Sequence, residues 1–300
     1  MILEHIAQRE GKLLTFLRRE LALSSTLVKR LKYSGAYTVN GEKVFTNYMV
    51  RPGDIVKVCL DEPHPEYPPE DGELRILYED DALIAIDKPA GILMHPSSSR
   101  NTGTLTNFLW GYYRRTGQAC AVHPVSRLDR DTFGVVLFAK NAHVHALMCS
   151  GQGDLQKTYH AAVYGVPSAP EGIIDAPIAR REGSSLLRCI REDGKVARSH
   201  YRVLDTGCPD GKTPCALLEL QPLTGRTHQL RLHCAHMGCP ILGDPQYPSA
   251  PSAALSERLG LQWQQLCAVR LTFCHPMTKK FLEISSEQTV CLDFCPGADV

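Results

Sequence analysis

Val125-Ser126-Arg127-Leu128-Asp129-Arg130-Asp131-Thr132-Phe133-Gly134 is a strongly charged run that feeds directly into Val135-Val136-Leu137-Phe138-Ala139. A short, wholly apolar segment entered through glycine reads as a strand buried on both faces. The polar residues ahead of it then occupy a loop held by a rigid support. Outward from this run, strand-like segments recur at Leu83–Ile86, Tyr159–Tyr164, His200–Leu204, Ala216–Leu220 and Phe281–Ile284. Helical patterns lie between some of them, near residues 104–115, 142–149, 227–237 and 254–266. Strands and helices do not alternate regularly, which points to an α+β fold: a mixed, largely antiparallel sheet with flanking helices.

Charge divides the chain. Residues 1–60 hold ten Lys/Arg against five acids, whereas residues 61–87 hold ten acids against Arg75 alone. Within the acidic stretch, Pro63-His64-Pro65-Glu66-Tyr67-Pro68-Pro69 cannot continue a helix or a central strand. We therefore expect a small α/β module at 1–60, an acidic, proline-rich linker at 61–75 and a large module at 76–300. In the small module Leu13, Leu14, Leu17 and Leu21 recur at helical spacing. Ser24 or Ser25 can cap a second helix with Leu27, Val28 and Leu31 inward, and Gly35 is expected to end it. The second helix also carries Lys29, Arg30 and Lys32. Asn40-Gly41 reads as a tight turn between strands, and Ile55–Val58 as another short strand. The basic cluster is open to two readings, a solvated face or a clip on a phosphate backbone.

The 300-residue chain is 43% hydrophobic and 22% charged, too apolar for a disordered protein. Its longest apolar stretches, such as Ala82–Ile86, are far too short for a bilayer-spanning helix. The first twenty residues carry Arg9, Lys12, Arg18 and Arg19 without an apolar core, so no secretory signal is expected. Twelve cysteines are then expected as reduced thiols in a cytoplasm. A net charge of +1 excludes a uniformly basic nucleic-acid binder but not local patches.

Two constellations could carry chemistry. In the first, Arg127 and Arg130 flank Asp129 and favour an ionised carboxylate, able to act as nucleophile, base or ion-pair partner. The second is Thr224-Gly225-Arg226-Thr227-His228-Gln229-Leu230-Arg231-Leu232-His233, a turn leading into a helix. There Arg226 can reach an anion from the helix start, and Arg231 lies on the helix body. A zinc site is a competing reading, because His228, His233, Cys234, His236 and Cys239 lie close together and Cys291 and Cys295 follow. Only His228-x4-His233 and Cys291-x3-Cys295 fit zinc spacing. A pure RNA-binding or chaperone role is a third.

The two constellations, together with Gln156-Lys157-x-Tyr159, Gly243-Asp244, Asp87-Lys88-Pro89-Ala90-Gly91 and Leu271-Thr272-Phe273-x-His275-Pro276, resemble the RluA-type family of RNA pseudouridine synthases. The matches run in the family's order over roughly residues 76–285. Residues 12–58 resemble a compact RNA-binding module first described in a small-subunit ribosomal protein. The resemblance implies isomerisation of uridine in RNA to pseudouridine without a cofactor or metal. It makes Asp129 the nucleophile, Tyr159 the ring against the target base, Arg231 the partner of Asp129, and Arg127 the occupant of the space vacated by the base. Arg130, Thr132, Arg226 and His228 are further candidates for holding substrate, with Lys29, Arg30 and Lys32 on the small module. Whether Asp129 adds to the base, attacks the ribose or removes a ribose proton stays open. Ribosomal RNA is the favoured partner, transfer RNA or a catalytically silent RNA binder the alternatives, and a cytoplasmic monomer the expected state. Two positions depart from the family pattern, Ser126 where histidine is usual and Phe133 where serine or threonine is usual.

Overall fold

The computed structural model describes residues 2–32, 36–60, 65–97, 100–151, 153–184 and 186–293. The expected helix stop at Gly35, the Pro63-His64 part of the linker and Cys295 lie outside the described residues.

The first module contains β1 (Ile2–Ile6), β2 (Gly11–Lys12), α1 (Leu13–Arg19), α2 (Ser25–Lys32), β3 (Tyr37–Val39), β4 (Glu42–Lys43), β5 (Met49–Val50) and β6 (Ile55–Cys59). Its main sheet runs β1-β6-β3-β4, with β2 and β5 as a separate pair. Alternation in β6 buries Val56 and Val58 and exposes Ile55 and Lys57. Those valines pack with Leu13, Phe16 and Leu17 of α1 and Leu27, Val28 and Leu31 of α2. The expected inward stripe of α1 needs correction: Leu14 is exposed and Phe16 takes the buried place. Strand β1, which pairs antiparallel with β6, was not expected. The Asn40-Gly41 turn forms with both residues at positive φ, and the Asn40 amide oxygen accepts from the Ile55 N–H.

The linker is only partly free. Tyr67 packs on the large core, the Asn107 side chain donates to the Pro68 carbonyl, and the Glu70 carboxylate accepts from the Gly103 N–H. Its second half is thus fastened to α3 (Leu105–Arg115), whose start Thr104 caps.

In the large module, β7 (Arg75–Glu79), β8 (Leu83–Lys88), β9 (His123–Pro124) and β10 (Phe133–Ala139) form one antiparallel half of a ten-stranded sheet. The other half comprises β11 (Gln156–Tyr164), β12 (Glu171–Asp175), β15 (Arg198–Gly207), β16 (Cys215–Pro222), β17 (Leu266–Cys274) and β18 (Phe281–Ser285). Between them, β13 (Ile178–Arg180) and β14 (Arg188–Ile190) make a separate hairpin. The halves meet where β10 runs parallel to β17 for two residue pairs, Phe133 with Cys267 and Gly134 with Ala268. Every other strand pairing in this sheet is antiparallel, as the irregular element order implied. The Asp87 carboxylate reinforces the join by accepting from Ser286 Oγ, the Glu287 N–H and the Gln288 amide.

Three further helices flank the sheet: α4 (Ala142–Cys149), α5 (Gln229–His236) and α6 (Ala250–Arg258). The first matches the expected 142–149. Helix α5 begins two residues later than expected because His228 is left-handed, with φ of 57°. Helix α6 lies earlier than the expected 254–266. A reciprocal cap between Ser249 and Ser252 and Pro251 in the first turn start it, and Gly260 at φ of 66° follows its end.

The seam has one strict requirement. Gly134 sits at φ of 102°, and a Cβ there would lie 2.4 Å from the Ala268 carbonyl oxygen. Gly134→Ala is expected to cost at least about 2 kcal/mol of stability in urea unfolding, from strain plus steric overlap. Gly117→Ala, at φ of 67° with open space around it, should cost less, so equal losses would remove the seam from the explanation.

Candidate active site

A cleft of about 870 Å³ opens at the seam. Its lining includes Met94 and His95, the loop 125–132, Tyr159 and Leu266, and the turn 222–231. Both sequence constellations therefore converge on one cavity, although about a hundred residues separate Asp129 from Arg231.

Arg231 is the electrostatic centre. Its side chain is 5% exposed, and its guanidinium donates from Nε and Nη2 to the two oxygens of Asp244, each at 2.7 Å. The remaining donors reach Asp129 Oδ2 at 2.9 Å from Nη1 and Gln246 Oε1 at 2.9 Å from Nη2. Burial opposes the charge on Arg231, but the bonds and charges of Asp244 and Asp129 outweigh it and hold its pKa above the ordinary value. The guanidinium carbon also lies 5.1 Å from the centre of the Tyr247 ring.

Asp129 is partly open to the cleft, with its side chain 29% exposed. Its expected pairing with Arg231 is present. The expected help from Arg130 is not: Arg130 donates twice to Asp131, its neighbour, and not to Asp129. Tyr159 lies nearly buried on β11, where a register shift between Thr158 and Tyr159 breaks the ladder to β17. Burial, with the charge of nearby Asp129, raises its hydroxyl pKa.

Arg127 and Arg226 are exposed on the cleft lining, and Arg226 Nε donates to the Val196 carbonyl. Thr132 borders the cleft but is buried, and its hydroxyl accepts from the Gln264 amide. His228 Nε2 lies 3.8 Å from Asp129 Oδ2, while Nδ1 is 2.7 Å from the Tyr247 hydroxyl. Lys29, Arg30 and Lys32 are exposed on α2 and line no part of this cleft.

Two of the residues behind the zinc reading are engaged elsewhere. His233 is buried between Ser199 Oγ and the Ala176 carbonyl, and Cys234 lies in the apolar core. Among the described residues no cluster of three His, Cys, Asp or Glu is arranged to hold a metal.

Of three further supports, Lys88 was expected only to support a turn near the site, and the roles of the other two escaped the sequence reading. Lys88 is fully buried and donates to the carbonyls of Pro89, Arg130 and Thr132, clasping the loop around Asp129. Burial pushes its pKa down to about 7, against the charges of Asp131 and Asp129. Asp244 was noted only as part of a motif, yet a buried arginine facing a partly exposed aspartate needs a second anion. Tyr247 carried no local signal. The departures from the family pattern are internal: Ser126 Oγ accepts from the Leu137 N–H, and Phe133 packs beside Ala162, Leu242 and Cys267.

Comparison with known proteins now decides the family. Residues 82–236 match the RNA pseudouridylate synthase family model, and a Bacillus subtilis protein named uncharacterized RNA pseudouridine synthase YhcT is 34% identical over 90% of this chain and 87% of its own. The chain belongs to the RNA pseudouridylate synthase family. It is an RNA uridine isomerase with an α+β catalytic fold. Ribosomal large subunit pseudouridine synthase D of Pseudomonas aeruginosa is 36% identical, covering 81% of this chain and 78% of that one. The solved structure of human RNA pseudouridylate synthase domain containing 4 is 27% identical with a TM-score of 0.55, covering 70% of this chain and 87% of that one. Among the described residues no helix is long and apolar enough to cross a membrane.

Removing Asp244 strands a buried charge. Asp244→Ala is expected to lower unfolding free energy by roughly 3–5 kcal/mol, read from a urea titration. A loss no larger than that of an average surface substitution would show that solvent reaches Arg231 and replaces the carboxylate.

Proposed function

We propose that the enzyme modifies uridine in large-subunit ribosomal RNA, with Asp129 as its nucleophile. The single observation that carries this reading is the Asp129–Arg231 pair on the wall of a cleft that also presents the Tyr159 ring. Pseudouridine formation breaks the bond from the ribose to nitrogen 1, turns the freed uracil and joins its carbon 5 to the ribose; carbon 5 gives up its proton and nitrogen 1 takes one, so the product is an isomer. No electron or group enters from outside. The reaction asks for a fixed carboxylate, a flat surface to retain the detached base, and exclusion of water. Arg231 fixes the carboxylate, Tyr159 supplies the surface, and stacking on such a ring contributes about 1–3 kcal/mol per base toward the cost of flipping the nucleotide. Arg127, Arg226 and the exposed Arg130 flank the cleft as cations for the displaced strand and its phosphates. The ribosomal assignment is supported by the relatives named ribosomal large subunit pseudouridine synthase D.

Residues 1–60 form the RNA-binding module in this reading, residues 61–75 the linker and residues 76–300 the catalytic domain. Lys29, Arg30 and Lys32 hold phosphates from one helix, and the enzyme works as a cytoplasmic monomer.

Tritium release from RNA labelled at carbon 5 of uridine tests the chemistry. We expect release from ribosomal RNA of a strain lacking the enzyme, none from its transfer RNA, and none with Asp129→Asn. Release only from transfer RNA would reverse the target, and turnover by Asp129→Asn would remove the nucleophile. Replacing Lys29, Arg30 and Lys32 together by alanine should weaken RNA binding and flatten its salt dependence. The logarithmic slope should fall by about 0.7 for each single-strand phosphate that the variant leaves unneutralised. An unchanged slope would take RNA binding away from α2.

A further inference from the structure

The two oxygens of Asp129 are not equivalent. Arg231 Nη1 at 2.9 Å and His228 Nε2 at 3.8 Å both face Oδ2. Among the described residues, Oδ1 has no protein partner, and the side chain borders the cleft. His228 is itself held unusually firmly. Its backbone is left-handed at φ of 57°, a conformation that disfavours a non-glycine residue by about 1 kcal/mol or more. Its ring meets Tyr247 edge-on at 5.6 Å, and the Tyr247 hydroxyl, which accepts from the Arg188 N–H, retains a proton to give to His228 Nδ1. That bond favours the neutral tautomer with its hydrogen on Nε2, the ring nitrogen nearer to Asp129.

We infer that His228, oriented by Tyr247, is a positioning residue that joins Arg231 in pinning Oδ2 of Asp129, so that Oδ1 is the oxygen presented to the uridine. The inference rests on the reading of Asp129 as nucleophile. A carboxylate tethered at one oxygen through one arginine can still rotate about its bond to Cβ. The His228 ring, 3.8 Å from the same oxygen and beyond hydrogen-bond reach, closes the space into which that oxygen would turn, and a misplacement of about 1 Å is enough to cost a hundredfold in rate. His228 then serves the enzyme through Asp129 and not by touching RNA.

The charges around His228 set its pH response. Burial lowers its pKa below the ordinary 6.5, Asp129 opposes this, Arg231 and Arg188 add to it, and Asp244 opposes it; Tyr247 faces the ring from the other side. At pH 7 the ring is neutral. Acid conditions below the ordinary histidine range protonate it, and the added positive charge beside Oδ2 draws electron density from the nucleophile. The rate of the wild-type enzyme therefore falls on the acid side through a step that belongs to His228.

Steady-state tritium release with His228→Gln, His228→Ala, Tyr247→Phe and Asp129→Asn between about pH 5 and pH 8 tests this. We expect both His228 variants to lose roughly ten- to a hundredfold in kcat with KM for RNA unchanged, and to lose the acid step. Tyr247→Phe should lose less and shift that step, and it keeps the test decisive should the His228 variants fail to fold. A raised KM at unchanged kcat would overturn the inference in favour of direct contact with RNA. Wild-type kcat or an intact acid step in well-folded His228 variants would also overturn it. Turnover by Asp129→Asn would instead discard the reading on which the inference stands.

Discussion

A guanidinium taken out of water must be met on all sides by acceptors, and Arg231 organises the active site through that demand. Asp244 supplies the bidentate pair that makes burial tolerable, Gln246 takes one further donor, and only then is Nη1 available for Asp129. The anion that satisfies the arginine is thus separate from the anion that faces the cleft. Asp244 can stay fully desolvated while Asp129 keeps one side toward the cleft, a division that a single carboxylate could not provide.

The backbone around this pair answers the same need for fixity. Lys88 gathers three carbonyls of the loop and of its own strand end, Thr132 is tied to Gln264, and Gly134 allows β10 to close against β17. Lys88 and Gly134 lie on strands and Gln264 just ahead of one, so the loop carrying Asp129 is held from behind. The cleft side is left to arginines at 127 and 226, whose long chains are exposed and suited to a mobile polyanion.

Much of this was legible in the residues, for definable reasons. Apolar runs such as Leu83–Ile86 and Val135–Ala139 announce buried strands because burial on both faces removes any need for alternation, and α4 and the Asn40-Gly41 turn follow local rules of capping and positive φ. The pairing of Asp129 with Arg231 came from resemblance, since no local rule joins positions so distant. Partners that act only through tertiary contact stayed hidden. Arg130 beside Asp129 in sequence looked like its counterion, yet the turn of the loop gives it to Asp131. Tyr247 and Gln264 reach the site from turns whose sequences say nothing of their destination, and β1 pairs with a strand some fifty residues later.

The seam between the sheet halves also bears on how the chain reaches its working form. Each half is built mostly from antiparallel neighbours, whereas the join itself brings Phe133 to Cys267 and Gly134 to Ala268 across nearly half the chain. Pairings of such long sequence separation require the largest loop to be closed and form late relative to hairpins. The loop of Asp129 enters the strand at that join, and Arg231 comes from a helix between the same two strands. The cleft that brings Asp129 to Arg231 is consequently complete only once this long-range pairing is made, and a half-folded domain, though rich in secondary structure, lacks it.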